Sequence, residues 1–239
     1  MTKPLQDKIA LVTGASRGIG RAAALELAKA GAHVIALART TGGLEELDDE
    51  IRKAGGEPAT LVPLNLRDFD ALDRLGRSIY DRWGRLDAFL GNAGFLGVLT
   101  PLAHLDPKIF TELVETNVTA NWRLIRSLDP LLRASEAGRV LFVSSGAARK
   151  HTAFWGGYGM TKAALESLAL TYAAECANIT KVRVNLLNPG PMRTQMRKRA
   201  MPGEDPATLP PPEAIAPLIV ELLSPGCEKN GELISFKAP

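Results

Sequence analysis

Short runs of consecutive apolar residues alternate along this chain with longer stretches in which apolar positions recur every three or four residues. The runs fall at 9–13, 33–38, 59–64, 86–90, 140–143, 182–187 and 232–236. Each is too short for an ordinary helix, and the mostly continuous apolar character of runs such as 9–13 and 33–38, rather than strict alternation, marks strands covered on both faces. Between them Ile19, Ala23, Leu27 and Ala30, then Leu44, Leu47, Ile51 and Ala54, then Leu72, Leu75 and Ile79 keep helical spacing. The same spacing returns in Phe110, Leu113, Val114, Leu124 and Leu128, in Ala163, Leu165, Leu168, Ala169 and Tyr172, and in Ile215, Leu218, Ile219 and Leu222. Strand alternating with amphipathic helix predicts an α/β fold with a parallel sheet.

Punctuation agrees with this pattern. Gly31 and Gly55-Gly56 end two of the helices, and Asp106-Pro107 starts another with an acidic N-cap and Pro at the first position. Pro63 cannot donate to a strand ladder, so the third strand belongs at a sheet edge. No repeat or linker interrupts the series, and 239 residues suit one well-filled core, so residues 1–239 are expected to form a single domain. The stretch from 191 to 212 is rich in Pro and poor in apolar periodicity, which predicts a mobile loop or short lid over a substrate.

Composition narrows the function. Lys plus Arg number 29 and Asp plus Glu 26, a net charge of +3 without long single-sign runs, which does not suggest a nucleic-acid partner. Arg193, Arg197, Lys198 and Arg199 form the one basic cluster and read as a solvated face. Cys176 and Cys227 are far apart and outside any metal-ligand spacing, so no metal and a reducing compartment are expected. No apolar run approaches the ~20 residues a membrane helix needs, and no leader pattern opens the chain; a cytoplasmic protein without a membrane partner is the expectation.

The first strand runs into Gly14-Ala15-Ser16-Arg17-Gly18-Ile19-Gly20 and then a helix. Glycines there permit positive φ and let backbone N–H groups approach a pyrophosphate, which the helix dipole stabilises. The spacing is G-x-x-x-G-x-G rather than G-x-G-x-x-G. After the second strand a site selective for NAD normally carries an acid for the ribose 2′-OH, whereas this chain has Ala38-Arg39. Arg39 and Arg17 therefore favour NADP(H), with NAD(H) still possible. Asn65-Leu66 follows the third strand, where adenine would sit, and Asn92-Ala93-Gly94 follows the fourth, where small residues permit close approach of a ligand.

Val140-Leu141-Phe142-Val143 leads into Ser144-Ser145, and Tyr158 and Lys162 stand four residues apart on the next helix. The pair shares a helix face, and an ammonium near a phenol lowers a pKa that starts near 10. Such a tyrosine exchanges protons close to neutral pH. Asn117 lies within the long helix after Pro107, where Asn is a mediocre helix former.

With these motifs in order, the chain resembles the short-chain dehydrogenase/reductase family over nearly its whole length, and Ser145 precedes Tyr158 by thirteen residues, as in the active members. The resemblance implies a single Rossmann-like, doubly wound parallel sheet of about seven strands with helices on both faces. It implies a catalytic tetrad of Asn117, Ser145, Tyr158 and Lys162. It places the cofactor against Gly14, Ala15, Ser16, Arg17, Gly18, Ile19, Gly20, Arg39, Asn65, Leu66, Asn92, Ala93, Gly94, Tyr158 and Lys162, covered by Pro189, Gly190, Met192 and Thr194. In that scheme Lys162 also binds the nicotinamide ribose and Asn117 holds a water that returns a proton to the lysine. Gly91 stands where many members carry Asn, and the last strand lacks the Asp-Gly-Gly ending of many bacterial members.

The expected activity is hydride transfer between NADP(H) and a carbonyl or secondary alcohol, read as a carbonyl reductase; the alternatives are an oxidative alcohol dehydrogenase and a non-catalytic cofactor-binding regulator. Phe95, Leu96, Trp122, Phe154, Trp155 and Met196 are candidates for an apolar pocket. A homodimer or homotetramer is expected from the family, the dimer through apolar faces on the helices carrying Asn117 and Lys162.

Overall fold

The computed structural model describes residues 3–237. Seven strands form one sheet: β1 (Ile9–Thr13), β2 (His33–Ala38), β3 (Thr60–Pro63), β4 (Ala88–Gly91), β5 (Arg139–Val143), β6 (Arg183–Asn188) and β7 (Leu233–Ser235). Their order is β3-β2-β1-β4-β5-β6-β7, and every neighbouring pair is parallel. The chain crosses from β3 at one edge back past β1 to β4, and a ligand crevice forms at the carboxyl ends of the strands where that order reverses. Pro63 lies on the edge strand as expected, opposite Ala38.

Continuous apolar strands serve two cores at once. Ala10 and Val12 of β1 pack on one side with α1 (Gly18–Lys29), α2 (Thr41–Lys53) and α9 (Ala216–Leu223). Ile9 and Leu11 face the other side, where α3 (Phe69–Trp83), α5 (Ala120–Ala134) and α7 (Gly156–Cys176) supply Leu72, Leu124 and Leu165. The alternation of Cβ directions along a strand assigns neighbouring residues to opposite layers. None of the helices in the described residues is long and apolar enough to cross a membrane.

Two stretches differ from the sequence expectation. The helix after Asp106 is not uniform: α4 (Pro107–Val114) passes into a wide π-helical turn, Glu115–Thr119, before α5. An inserted residue of this kind turns a side chain out of the regular helical stripe, and here Asn117 becomes fully buried. The second difference is the 191–212 stretch, which is built rather than loose. Thr194 caps a short helix, α8 (Gln195–Ala200), by accepting from the N–H of Arg197, and two single 3-10 turns follow at Pro206–Thr208 and Pro212–Ile215. Six helical residues are too few to leave a periodic signal. Arg197 of α8 is held by a two-pronged ion pair to Glu204, at 2.6 and 2.7 Å.

Candidate active site

The carboxyl ends of β1, β4, β5 and β6 converge on one crevice. At β1 the turn into α1 is compact because of its glycines: Gly14 and Gly18 have φ of +68° and +56°, and a Cβ on Gly20 would collide with the Gly14 carbonyl and the Asn92 amide. Asn92 crosses from β4 to tie this turn down, its Nδ2 donating to the Thr13 carbonyl at 2.9 Å. Buried Thr13 answers with its hydroxyl, which accepts the N–H groups of Asn92 and Ala93 at 3.0 and 3.1 Å. Two strand ends are thereby fixed at the distance their small residues allow.

The start of α1 is open to an anion. Its N-cap residue, Arg17, makes no side-chain cap and the first turn carries no acid, so unpaired N–H groups and the positive end of the helix dipole face the crevice. Arg17 and Arg39 are both exposed, and neither forms an ion pair among the described residues. Arg21 one turn further on is spent on Glu46 and Glu50. Thr194 closes the far side, with a methyl 3.5 Å from where a Gly18 side chain would begin, and buried Met192 lies beside it in the chain. Gly190 adopts φ +67° and has open space around it. Asn65 is exposed and Leu66 buried after β3.

Beside this cradle stand the tyrosine and lysine of α7. Lys162 is 3% exposed; its Nζ donates to the Val143 carbonyl at 2.8 Å and lies 5.8 Å from the centre of the Tyr158 ring. A Gly94 side chain would start 3.6 Å from both Lys162 Nζ and Asn117 Oδ1, so the glycine borders the space in front of them. Asn117 is committed to protein partners: Oδ1 accepts from the Phe95 N–H at 2.7 Å, and Nδ2 donates to the Phe95 carbonyl and to Thr161 Oγ1 at 2.8 and 2.9 Å. Its backbone carbonyl accepts from Asn121 Nδ2 at 2.9 Å. The wide turn thus locks the loop after β4 to α7.

Burial sets the electrostatics of the pair. Tyr158 is pushed up to about 12 by burial, with the nearby Ser145 hydroxyl acting in the opposite direction. Lys162 is pushed down to about 8 by burial, partly offset by the charge of Glu166. The sequence expectation was a tyrosine brought toward neutral pH by the lysine. Desolvation instead sets both shifts, the ammonium leaning on the Val143 carbonyl and the phenol lying under an apolar roof.

That roof is a small separate cluster: Leu96, Tyr158 and Ala200 are buried together, with Leu99, Ala147, Trp155 and Met196 packed against them. The Trp155 ring meets Tyr158 edge-on, with centroids 6.1 Å apart and planes at 65°. Met196 and Ala200 come from α8, so the stretch read as a lid packs against the tyrosine.

Residues 8–205 match the short chain dehydrogenase family. The chain belongs to that family. This short chain dehydrogenase is 38% identical over 221 residues to YciK, an uncharacterized oxidoreductase of Escherichia coli K12, a match spanning 92% of this chain and 87% of the relative. It superposes on a short chain dehydrogenase structure from Escherichia coli CFT073 complexed with NADPH, with a TM-score of 0.93, 37% identity and 98% of each chain covered. A Shigella flexneri 2a structure complexed with NADP gives a TM-score of 0.94 at 36% identity, covering 98% of this chain and 99% of that one.

The family's tetrad residues are therefore brought to one place in this dehydrogenase, and the glycine turn, Asn92-Ala93-Gly94 and Thr194 to the adjoining one. Three pocket candidates lie outside the roof cluster: Trp122, Phe154 and Phe95, whose backbone is held by Asn117. Trp122 sits on the outer surface of α5, 42% exposed with Arg126 over its ring, because the π-helical turn shifts the inward stripe to Asn121 and Leu124. Phe154 is 56% exposed in a strained backbone (φ +72°), outside the roof. Leu99, Ala147 and Ala200 are roof residues that sequence reading passed over, since small or lone aliphatic residues carry no signal of their own. Thr161, Ser144 and Glu166 were also passed over; Glu166 alone had a cue, its place one turn after Lys162.

Proposed function

We propose that this short chain dehydrogenase is an NADP(H)-dependent carbonyl reductase acting on an uncharged carbonyl compound with apolar substituents. The observation that carries the reading is the placement of Tyr158 between the Ser145 hydroxyl and an all-apolar roof, one helix turn from Lys162 and beside the glycine cradle. Bound NADPH supplies the hydride. As negative charge grows on the carbonyl oxygen, Ser145 and Tyr158 donate hydrogen bonds to it and Tyr158 then gives up its proton. A phenol held protonated by burial suits that donating role, which favours reduction over oxidation. Lys162, charged, stabilises the phenolate left behind. Asn117 holds the Phe95 loop against α7 and so keeps Gly94 and Lys162 in register; a water beside its Oδ1 and Lys162 would return the proton.

NADP(H) is preferred to NAD(H) because Arg17 and Arg39 stand free at the mouth where a 2′-phosphate would lie and no carboxylate follows β2. NADPH and NADP in the two similar structures support the same choice. The side chains that pack over Tyr158 in this cluster are apolar, which favours an aryl or alkyl ketone or aldehyde over a keto acid. Exposed Trp122 on α5 and Leu170 on α7 support pairing of two copies through these helices in the cytoplasm, as a homodimer or within a homotetramer. The test is a paired fluorescence titration with NADPH and NADH at one ionic strength, followed by a carbonyl screen. Tight NADPH binding with oxidation of NADPH by apolar carbonyls is expected; equal affinities, or turnover confined to keto acids, would overturn the reading.

A further inference from the structure

Glu166 has no part in the chemistry above, yet it is a carboxylate buried to 7% exposure in the middle of α7. Burial of such a group is costly unless it is paired and bonded. Its Oε1 accepts from Ser144 Oγ at 2.6 Å, and its Oε2 accepts from Arg149 Nε at 2.9 Å. Ser144 is itself buried, and its N–H donates to the Leu187 carbonyl at 2.8 Å, continuing the β5–β6 ladder by one residue.

Tyr158, Lys162 and Glu166 are spaced four apart, so they form one row on α7. Each faces one of three consecutive residues at the end of β5: Lys162 holds the Val143 carbonyl, Glu166 holds the Ser144 hydroxyl, and Tyr158 lies by the Ser145 hydroxyl. The other charges on elements packed against α7 are spent or remote. Glu112 of α4 and Glu115 of the wide turn pair with Arg67, and Lys108 of α4 is exposed. Asp129 of α5 pairs with Arg133 and accepts from Tyr172, more than one turn beyond Glu166, and Arg183 begins β6 at the opposite end of the sheet, near Glu228. On α6 (Ala147–Lys150) Lys150 is exposed, and Arg149, 59% exposed, pairs with Glu166 and offsets part of its charge. Glu166 is thus the charge whose field bears on Lys162.

We propose that Glu166 is a positioning residue: through Ser144 it fixes the β5 terminus on which Ser145 stands, and through its negative charge it keeps Lys162 protonated at neutral pH. The inference rests on the catalytic roles given above to Ser145 and Lys162, but its test does not need turnover. In full-length protein carrying 13C at the lysine ε-carbon, the Lys162 resonance is the one lost in Lys162→Arg, and its chemical shift is followed against pH. Glu166→Gln keeps volume and an acceptor but not charge, and should lower the Lys162 midpoint by about half a pH unit or more, with Glu166→Asp restoring it. Arg149→Gln, a change at an exposed side chain, should move the midpoint upward. In the reductase assay, Glu166→Gln should lose about twofold or more in kcat at pH 8, as a midpoint lowered by about half a unit requires, and almost nothing at about pH 6.5. An unmoved midpoint in folded Glu166→Gln overturns the proposal, and so does an unmoved midpoint in Arg149→Gln if the first variant does not fold. Absence of turnover in the unmodified protein would count against the reductase reading alone.

Discussion

The ammonium of Lys162 donates to the carbonyl of Val143 at 2.8 Å while standing 5.8 Å from the centre of the Tyr158 ring. The lysine is therefore anchored to the end of β5 rather than to the phenol, and both groups are nearly sealed from water. Two opposed shifts follow, with Lys162 at about 8 and Tyr158 at about 12. The site holds a protonated acid next to a cation that is easily lost, and its pH behaviour should be governed by the lysine.

The rate profile should show this directly. In the reductive direction kcat/KM for NADPH reports the free enzyme, and it should be level from about pH 6 to 7, be halved near pH 8 and fall further above that as Lys162 loses its proton. Tyr158, at about 12, stays protonated throughout this range. A profile still level at pH 9.5 would contradict the assignment.

Lys162 should also cost stability. Its folded pKa of about 8 lies below the ordinary 10.5, so the unfolded chain binds the extra proton and the penalty is complete below pH 8 and relieved as pH rises toward 10.5. Lys162→Met should accordingly raise stability at pH 7 by about 1 kcal/mol, the gain from removing the buried charge being partly offset by the Val143 carbonyl left without its donor. The difference in Tm from the unmodified protein should shrink by pH 9.5. Above pH 10 the sign reverses for Tyr158, whose raised pKa takes stability away as the unfolded phenol ionises first.

Thr13 predicts a different kind of loss. Thr13→Val has the same shape but cannot accept the N–H groups of Asn92 and Ala93; Asn92 retains a bond to the Leu90 carbonyl, whereas Ala93 is left unpaired. The cost should be about 1–3 kcal/mol, read as a Tm lower by several degrees. NADPH binding should weaken as well, because the same contacts hold the Gly14 turn.

The lid offers a kinetic test. Met196 and Ala200 cover Tyr158, and the helix that carries them is tied by Arg197 to Glu204. Arg197→Ala should raise the KM for the carbonyl substrate several-fold with little change in NADPH affinity, and should speed modification of Tyr158 by a tyrosine reagent. Equal reactivity in the two proteins would show that the ion pair does not control the cover.

Cofactor choice can be reversed on one residue. Arg39→Asp places a carboxylate where a 2′-OH is bound and a 2′-phosphate repelled, so the ratio of NADPH to NADH affinity should fall by about 10-fold or more. An unchanged ratio would remove Arg39 from the site.

Much of this arrangement was legible in the sequence because its determinants are local. Apolar runs such as 33–38 announced strands covered on both faces, Pro63 announced the edge, and the glycines after β1 announced the tight turn into α1. The Tyr158/Lys162 pair lay in helix spacing. What the sequence withheld depends on contacts between distant segments. A π-helical turn has no periodic signature, so the inward rotation of Asn117 and the outward one of Trp122 were invisible. The direction of the Tyr158 shift depends on a roof assembled from residues 96, 99, 147, 155, 196 and 200, and α8 was too short to read.

The most direct test of the reductase reading compares the protein with Tyr158→Phe, measuring NADPH affinity by fluorescence and NADPH consumption with an apolar ketone or aldehyde on the same samples. The phenylalanine ring keeps the packing under the roof and removes only the proton donor. Turnover should fall by about 10²-fold or more while NADPH affinity stays within a few-fold of the original. Turnover equal to that of the unmodified protein would show that Tyr158 is not the proton donor and that the chemistry lies elsewhere.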